Sequence, residues 1–280
     1  MDAQSFPFYK NKNYCNHEKT WCLDQQLFKH HVMFKSDLDN DFIKFPAFQI
    51  IVDANISHID NLLMYSTDGQ SAVEIRATDI QLDFVIQGNQ TIITHWGQLF
   101  TRTIPAGITA TPPYLDRIWQ AEMQIHGEIY YSELFAPIQV QDGDILPCGD
   151  WLLLDAVSQK NIGNLIYEGT GSFKQNYLLP TDIGRPTYEY KEEGEEDGKG
   201  EFYQTMRRVE KTFAFEFFAP EYMTDAMALL PLHEFFVIFT QYGTYNANDL
   251  KFEVKEWETE CIARCEISFQ TDFAAARGTV

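Results

Sequence analysis

The sequence predicts a mostly β protein: two β-sandwich-like domains, with a long hairpin and one short α-helix in the C-terminal half. Three observations lead there. Aromatics are abundant, with 22 Phe, 14 Tyr and 5 Trp in 280 residues, and flat side chains pack well across a pleated sheet. Apolar and polar residues alternate along many short runs, the period of a half-buried strand. Turn signals recur roughly every 8–12 residues, the spacing of an all-β sandwich.

Residues 1–44 show little periodicity and are expected to form an N-terminal arm or lead-in segment, lying on a neighbouring subunit or on its own domain. Its short strand candidate is "HHVMF". A β-sandwich-like domain is expected over 45–143. It opens with the apolar, β-branched run "AFQIIVDANI". Asp68-Gly69 and Gly88-Asn89 each stand between alternating runs and mark hairpin turns. "GQLFTRTIPAGI" and "RIWQAEMQIHGEIYYSELFAPIQV" add further short strands. The Asp/Gly run at Gln141–Asp144 and Pro147-Cys148-Gly149 then break the pattern and mark the boundary.

Residues 144–280 form the second β-rich unit, beginning with "WLLLDAV" and "NLIYEGTGSFKQNYLLPTDIG". Thr187 to Tyr190 alternates, and Glu201 to Phe217 reads as a long strand with Phe213, Phe215 and Phe217 on one face. Between them lies an acidic, glycine-containing stretch. Flexible, mutually repelling residues without an apolar anchor do not build a rigid pocket. Two readings stand: a solvated hairpin tip, or a projection that meets a neighbouring subunit. The contact residues in the second reading are Tyr190, Glu192, Glu193, Glu195, Glu196, Asp197, Phe202 and Tyr203.

After the hairpin the period changes. Tyr222, Met223, Ala226, Met227 and Leu230 share one face of a short helix, with Pro220 at its start and Pro231 at its end. "EFFVIFTQYG", "LKFEVKEWETE" and "CIARCEISFQTDF" return to strand.

The chemistry-bearing residues point to no catalytic, cofactor or metal site. The net charge of −20 repels phosphate backbones, so no direct nucleic-acid partner is expected. Cys15, Cys22, Cys148, Cys261 and Cys265 form no CxxC pair. No apolar h-region opens the chain, so reduced thiols in a cytosolic product are expected, without membrane insertion. Asp37, Asp39 and Asp41 resemble the start of a calcium loop, but Phe42 and Phe48 occupy its Gly and Glu positions. The histidines are scattered, and no GxSxG occurs. "GTGSFK" lacks the GK[ST] ending of a phosphate loop. Glu128, Glu133 and Glu216 are the carboxylates a glycoside hydrolase would use, and exposed strand positions explain them equally. Trp96, Tyr130, Tyr131 and Trp257 could stack sugar rings, the basis of an alternative reading as a carbohydrate-binding module for host-surface attachment.

"GEIYYSELFAPIQV", "FKQNYL", the acidic hairpin, "KTFAF", "PEYMTDA" and "LPLH" follow one another between Gly127 and Phe239. In order and spacing this run resembles structural, tail- or baseplate-type proteins of tailed phages and prophages of the Bacteroidota. The resemblance spans somewhat over a third of the chain and carries no catalytic signature. It implies a non-enzymatic virion component, made in the host cytoplasm and built into the tail. Its expected partners are sister subunits in a ring and other tail proteins.

Overall fold

The computed structural model describes residues 4–10, 33–37, 40–66, 74–77, 81–97, 99–103, 119–136, 138–140, 146, 149–168, 173–196, 198–258 and 262–278. The described chain is mostly strand. In order these are β1 (Phe8–Tyr9), β2 (Met33–Asp37), β3 (Asn40–Lys44), β4 (Phe48–Val52), β5 (Asn61–Ser66) and β6 (Glu74–Ala77). Then come β7 (Leu82–Gln87), β8 (Gln90–His95), β9 (Leu99–Thr103), β10 (Trp119–Ile125), β11 (Glu128–Ser132) and β12 (Ile138–Val140). The C-terminal half holds β13 (Leu152–Val157), β14 (Gln175–Leu179), β15 (Thr187–Glu196) and β16 (Phe202–Pro220), then helix α1 (Glu221–Met227) and a 3-10 turn (Leu230–Leu232). It closes with β17 (Phe235–Thr240), β18 (Gly243–Trp257) and β19 (Ile262–Gly278).

Three sheets result. The largest runs β1-β11-β10-β5-β6-β9-β3-β2-β12, and a three-stranded sheet runs β4-β8-β7. The third, β14-β13-β17-β18-β19-β16-β15, uses only C-terminal strands. Local turn chemistry accounts for the hairpins. Gln87 pairs with Gln90 around Gly88, whose φ is +64°. Ile125 pairs with Glu128 around His126 and Gly127, with φ of 52° and 80°. Two positive φ values in a two-residue loop match the twist of the flanking strands. The β5–β6 ladder pairs Tyr65 with Glu74, and the Asp68-Gly69 turn itself lies outside the described residues.

Of residues 1–44, expected to be an arm or lead-in with "HHVMF" as its strand, the described stretches are 4–10, 33–37 and 40–44, and three strands lie in them, β2 overlapping "HHVMF". β1, β2 and β3 all pair with other strands, and Phe6 and Phe8 are buried in the core of their own chain. A two-residue strand is too short to show alternation; β11 supplies its hydrogen bonds. Phe6, Phe8, Phe45, Phe48, Ile50, Ile93, Leu62, Met64, Trp119 and Met123 form one cluster drawn from both N-terminal sheets. Each such buried side chain contributes roughly 1.5–3 kcal/mol relative to exposure.

In the C-terminal sheet, Leu152 and Leu154 of β13 and Tyr177 and Leu179 of β14 meet Phe213, Phe215 and Phe217 of β16. Cys265, Ile267 and Phe269 of β19 complete this face. α1 covers it with Met223, Ala226 and Met227. The helix is shorter than its apolar face predicts. Pro231 has no N–H to donate to the carbonyl four residues back, so the chain tightens. Leu232 N–H bonds Leu229 O at 3.0 Å and His233 N–H bonds Leu230 O at 2.9 Å. Leu230 still reaches the core, but from the 3-10 turn.

Polar and apolar contacts join the two halves. The Gln49 side chain donates to Ile166 O at 2.6 Å and accepts from Ile166 N–H at 2.9 Å, copying a strand pair with one amide. Gln4 does the same to the Gln49 backbone, at 2.6 and 2.7 Å. Asn176 Oδ1 accepts from Ala47 N–H at 3.1 Å, and Gln175 Oε1 accepts from Ser5 N–H at 2.9 Å. Asp155 beneath them takes Asn176 Nδ2 and the Lys174 ammonium. Two apolar clusters reinforce the seam: Ala47 with Ile162, Leu165, Tyr167 and Phe173, and Ile138 and Val140 with Leu153 and Leu178.

Candidate functional site

The acidic hairpin is one ladder of a wider ribbon. β15 pairs with β16 from Thr187↔Thr212 to Glu196↔Phe202, with a register shift at Glu193/Gly194. β19 pairs with the other side of β16, as far out as Met206↔Gly278. β15 is therefore the open edge of a three-stranded arm. Tyr190 is 79% and Tyr188 53% exposed, and Glu192, Glu195 and Glu196 are exposed too. The backbone places Glu193, Phe202 and Tyr203 in the same ladder. Asp197 lies outside the described residues.

At the base of this arm the sheet forks. The rung Thr212–Gln270–Asn248 crosses β16, β19 and β18. The register shifts on the outer side of this rung along β16, between Glu210 and Thr212, and on its inner side along β18, between Asn248 and Lys251. The end of β19 then follows β16, while the start of β18 follows β17. Asp249 takes a φ of 48° in the β18 bulge, and the neighbouring Leu250 is anchored in the core. Bulges of this kind re-aim side chains next to binding sites. The fork leaves a groove of about 800 Å³.

Three walls line the groove. The arm supplies Glu189, Thr212, Ser268 and Gln270; the bulge supplies Asn248, Asp249 and Lys251; the 3-10 corner supplies Pro231, His233 and Glu234. Glu210 is buried and accepts from Gln270 Nε2 at 2.9 Å, which fixes that amide. Glu234 is held by Gln159 N–H at 3.1 Å. His233 donates from Nδ1 to Leu229 O at 3.1 Å, so its Nε2 accepts from the Tyr167 hydroxyl at 2.6 Å. Burial lowers the His233 pKa, which favours this neutral form.

The other sequence candidates do not converge on this groove. Asp37 and Asp41 stand in the β2–β3 hairpin, pairing with Asn40 and Ser36, and Asp39 lies outside the described residues. Glu128 pairs with Lys10 at 2.6 Å, and Glu216 lies 3.8 Å from Arg264. Glu133 is buried, and its charge raises the Tyr222 pKa, after the larger effect of Tyr222's own burial. Tyr130 is a core residue, Trp96 donates to Asp83 Oδ2 at 2.7 Å and packs on Phe173, and Trp257 is half-exposed near the end of β18. With Tyr131 beside Tyr130 on β11, the four rings are spread over β11, the end of β18 and the turn after β8. Lys174 of "GTGSFK" is bound to Asp155, while 169–172 lie outside the described residues. Cys265 is buried, and desolvation raises its thiol to about 11; Cys261 lies outside the described residues. Among the described residues no three His, Cys, Asp or Glu side chains are grouped to hold a metal, and no helix is long and apolar enough to cross a membrane.

Sequence reasoning missed the groove. Its signal was "YNANDLKF", where Asn248 and Asp249 interrupt a strand pattern just before the apolar Leu250. A scan against protein-family models and searches of curated proteins and solved structures return no match.

Proposed function

We propose that this chain is a non-enzymatic structural subunit of a tailed-phage virion. It works as a homo-oligomer in the tail or baseplate, made in the host cytoplasm, and contacts other tail proteins rather than nucleic acid or membrane. In this reading each half is a β-sandwich-like unit. The observation that carries it is the three-stranded arm. Among the described residues its outer strand β15 pairs with β16 alone, and it exposes Tyr188 and Tyr190. An open edge with exposed aromatics suits docking by a subunit that adds backbone hydrogen bonds and covers the rings. The resemblance over Gly127–Phe239 supplies the virion context.

Two measurements test it. Mass spectrometry of purified particles should find the chain, and its absence there would refute the virion reading. Sedimentation of the purified protein should show an oligomer that dissociates when Tyr188 and Tyr190 are both changed to Ala. An oligomer unchanged by that pair would remove the arm from the interface.

A further inference from the structure

We infer that the groove at the base of the arm is a receptor for a guanidinium group. This stands apart from the virion reading. The fork brings three carboxylates from three separate elements to one concavity: Glu189 on β15, Glu234 after the 3-10 turn and Asp249 in the β18 bulge. Lys251 is the opposing charge there, and His233 has both ring nitrogens engaged, so the lining carries a net negative charge.

The neutral lining groups also favour a donor. Gln270 spends its Nε2 on Glu210, leaving Oε1 as an acceptor. The Thr212 Oγ1 is buried and has no hydrogen-bond partner among the described residues, so it can accept from a donor. A ligand that only donates satisfies such a lining, and guanidinium carries five N–H donors and no acceptor. Its planar fork can bond a carboxylate through two parallel hydrogen bonds. The chain's net charge of −20 adds a long-range field that draws cations and opposes anions. Asp249 sits at positive φ, held there by the inward anchor of Leu250, so its carboxylate is carried on a constrained bulge.

The test is an amide-detected NMR titration of the full chain at low salt with Nα-acetyl-argininamide. Saturable shifts should centre on Asn248, Asp249, Lys251 and Gln270. Nα-acetyl-citrullinamide, its neutral isostere, should leave them in place. Changing Glu189→Gln together with Asp249→Asn should weaken binding about tenfold or more, the effect of losing a charge-assisted hydrogen bond. Both side chains are exposed, so the fold should survive. Glu128→Gln, an exposed acid elsewhere, should change nothing. A short peptide with the same arginine between valines and threonines identifies the source. Tighter binding than the blocked amino acid assigns the guanidinium to a protein segment lying beside β15, and equal binding to a free small molecule. Equal response to the citrulline compound, shifts scattered over the acidic surface, no saturable shift, or binding unaffected by the double substitution would each overturn the assignment.

Discussion

The two ends of one sheet face different surroundings. On β13, β14 and β17 the side away from the core carries Leu153, Leu178 and Phe239, packed against Ile138 and Val140 of the N-terminal half. On β16, β19 and β18 the corresponding side carries Glu216, Glu266 and Glu253 on a single rung. Like charges directly opposite one another on a sheet repel. Here two cations relieve them: Lys255 lies 2.8 Å from Glu253 and 3.4 Å from Glu266, and Arg264 lies 3.8 Å from Glu216. The same backbone ladder thus supports a sealed apolar seam at one end and an open charged face at the other. The difference comes from the outward positions of each strand, and the open end is where the fork and its groove occur.

Substitutions should separate these ends by size of effect. Leu153→Asp places an unpaired charge in the seam and should cost about 4 kcal/mol or more, or prevent folding. Urea denaturation reads it; a cost near zero would mean that the halves do not depend on the seam.

The second effect is on pH. His95 is buried, stacked on Phe48 with ring centroids 5.0 Å apart, and desolvation lowers its pKa from 6.5 to about 4. The folded state keeps this ring neutral while the unfolded chain protonates it. Stability should therefore fall as pH drops from 6.5 towards about 4, by roughly 3 kcal/mol in all, and His95→Gln should remove that part of the slope. Urea midpoints compared at the two ends of that window decide it.

Next in size is Gly97→Ala, at the joint between the halves. Gly97 has a φ of +73°, and an added Cβ would meet Asn176 Oδ1 at 3.0 Å and Ala47 N at 3.3 Å. The expected loss is about 1–3 kcal/mol, read as a lowered melting temperature. Smallest is Glu266→Gln on the open rung, expected within about 0.5 kcal/mol of the parent and on the stabilising side, since it removes a like-charge pair. A large loss there would show that the charged face is as structural as the seam.

Much of the secondary structure was legible. Phe213, Phe215 and Phe217 alternate, and all three are buried. Gly88-Asn89 is a turn, and Met223, Ala226 and Met227 do face the core. Strand pairing at long range was not legible. Nothing local to the hairpin shows that β19 makes it three-stranded, because a strand's period reports which face is buried and not which neighbour lies beside it. Phe8 lies in a strand of two residues and Phe6 in none, so neither stands in a run long enough to show a period. The groove was invisible for a related reason. A bulge shows in sequence as misplaced polar residues, and only the pairing on both sides of Gln270 turns Asn248 and Asp249 into one wall of a cleft.

The amino-acid order by itself determined the strand period, the tight turns and the helix with its apolar face, since these follow from backbone sterics and residues a few positions apart. The tertiary structure decided which outer face is sealed, where the sheet forks and how the halves lock. Those outcomes rest on pairs such as Gln49 with Ile166 and Ala47 with Asn176, 117 and 129 residues apart. A buried amide must find its partner wherever the chain brings one, and no local pattern records where that is.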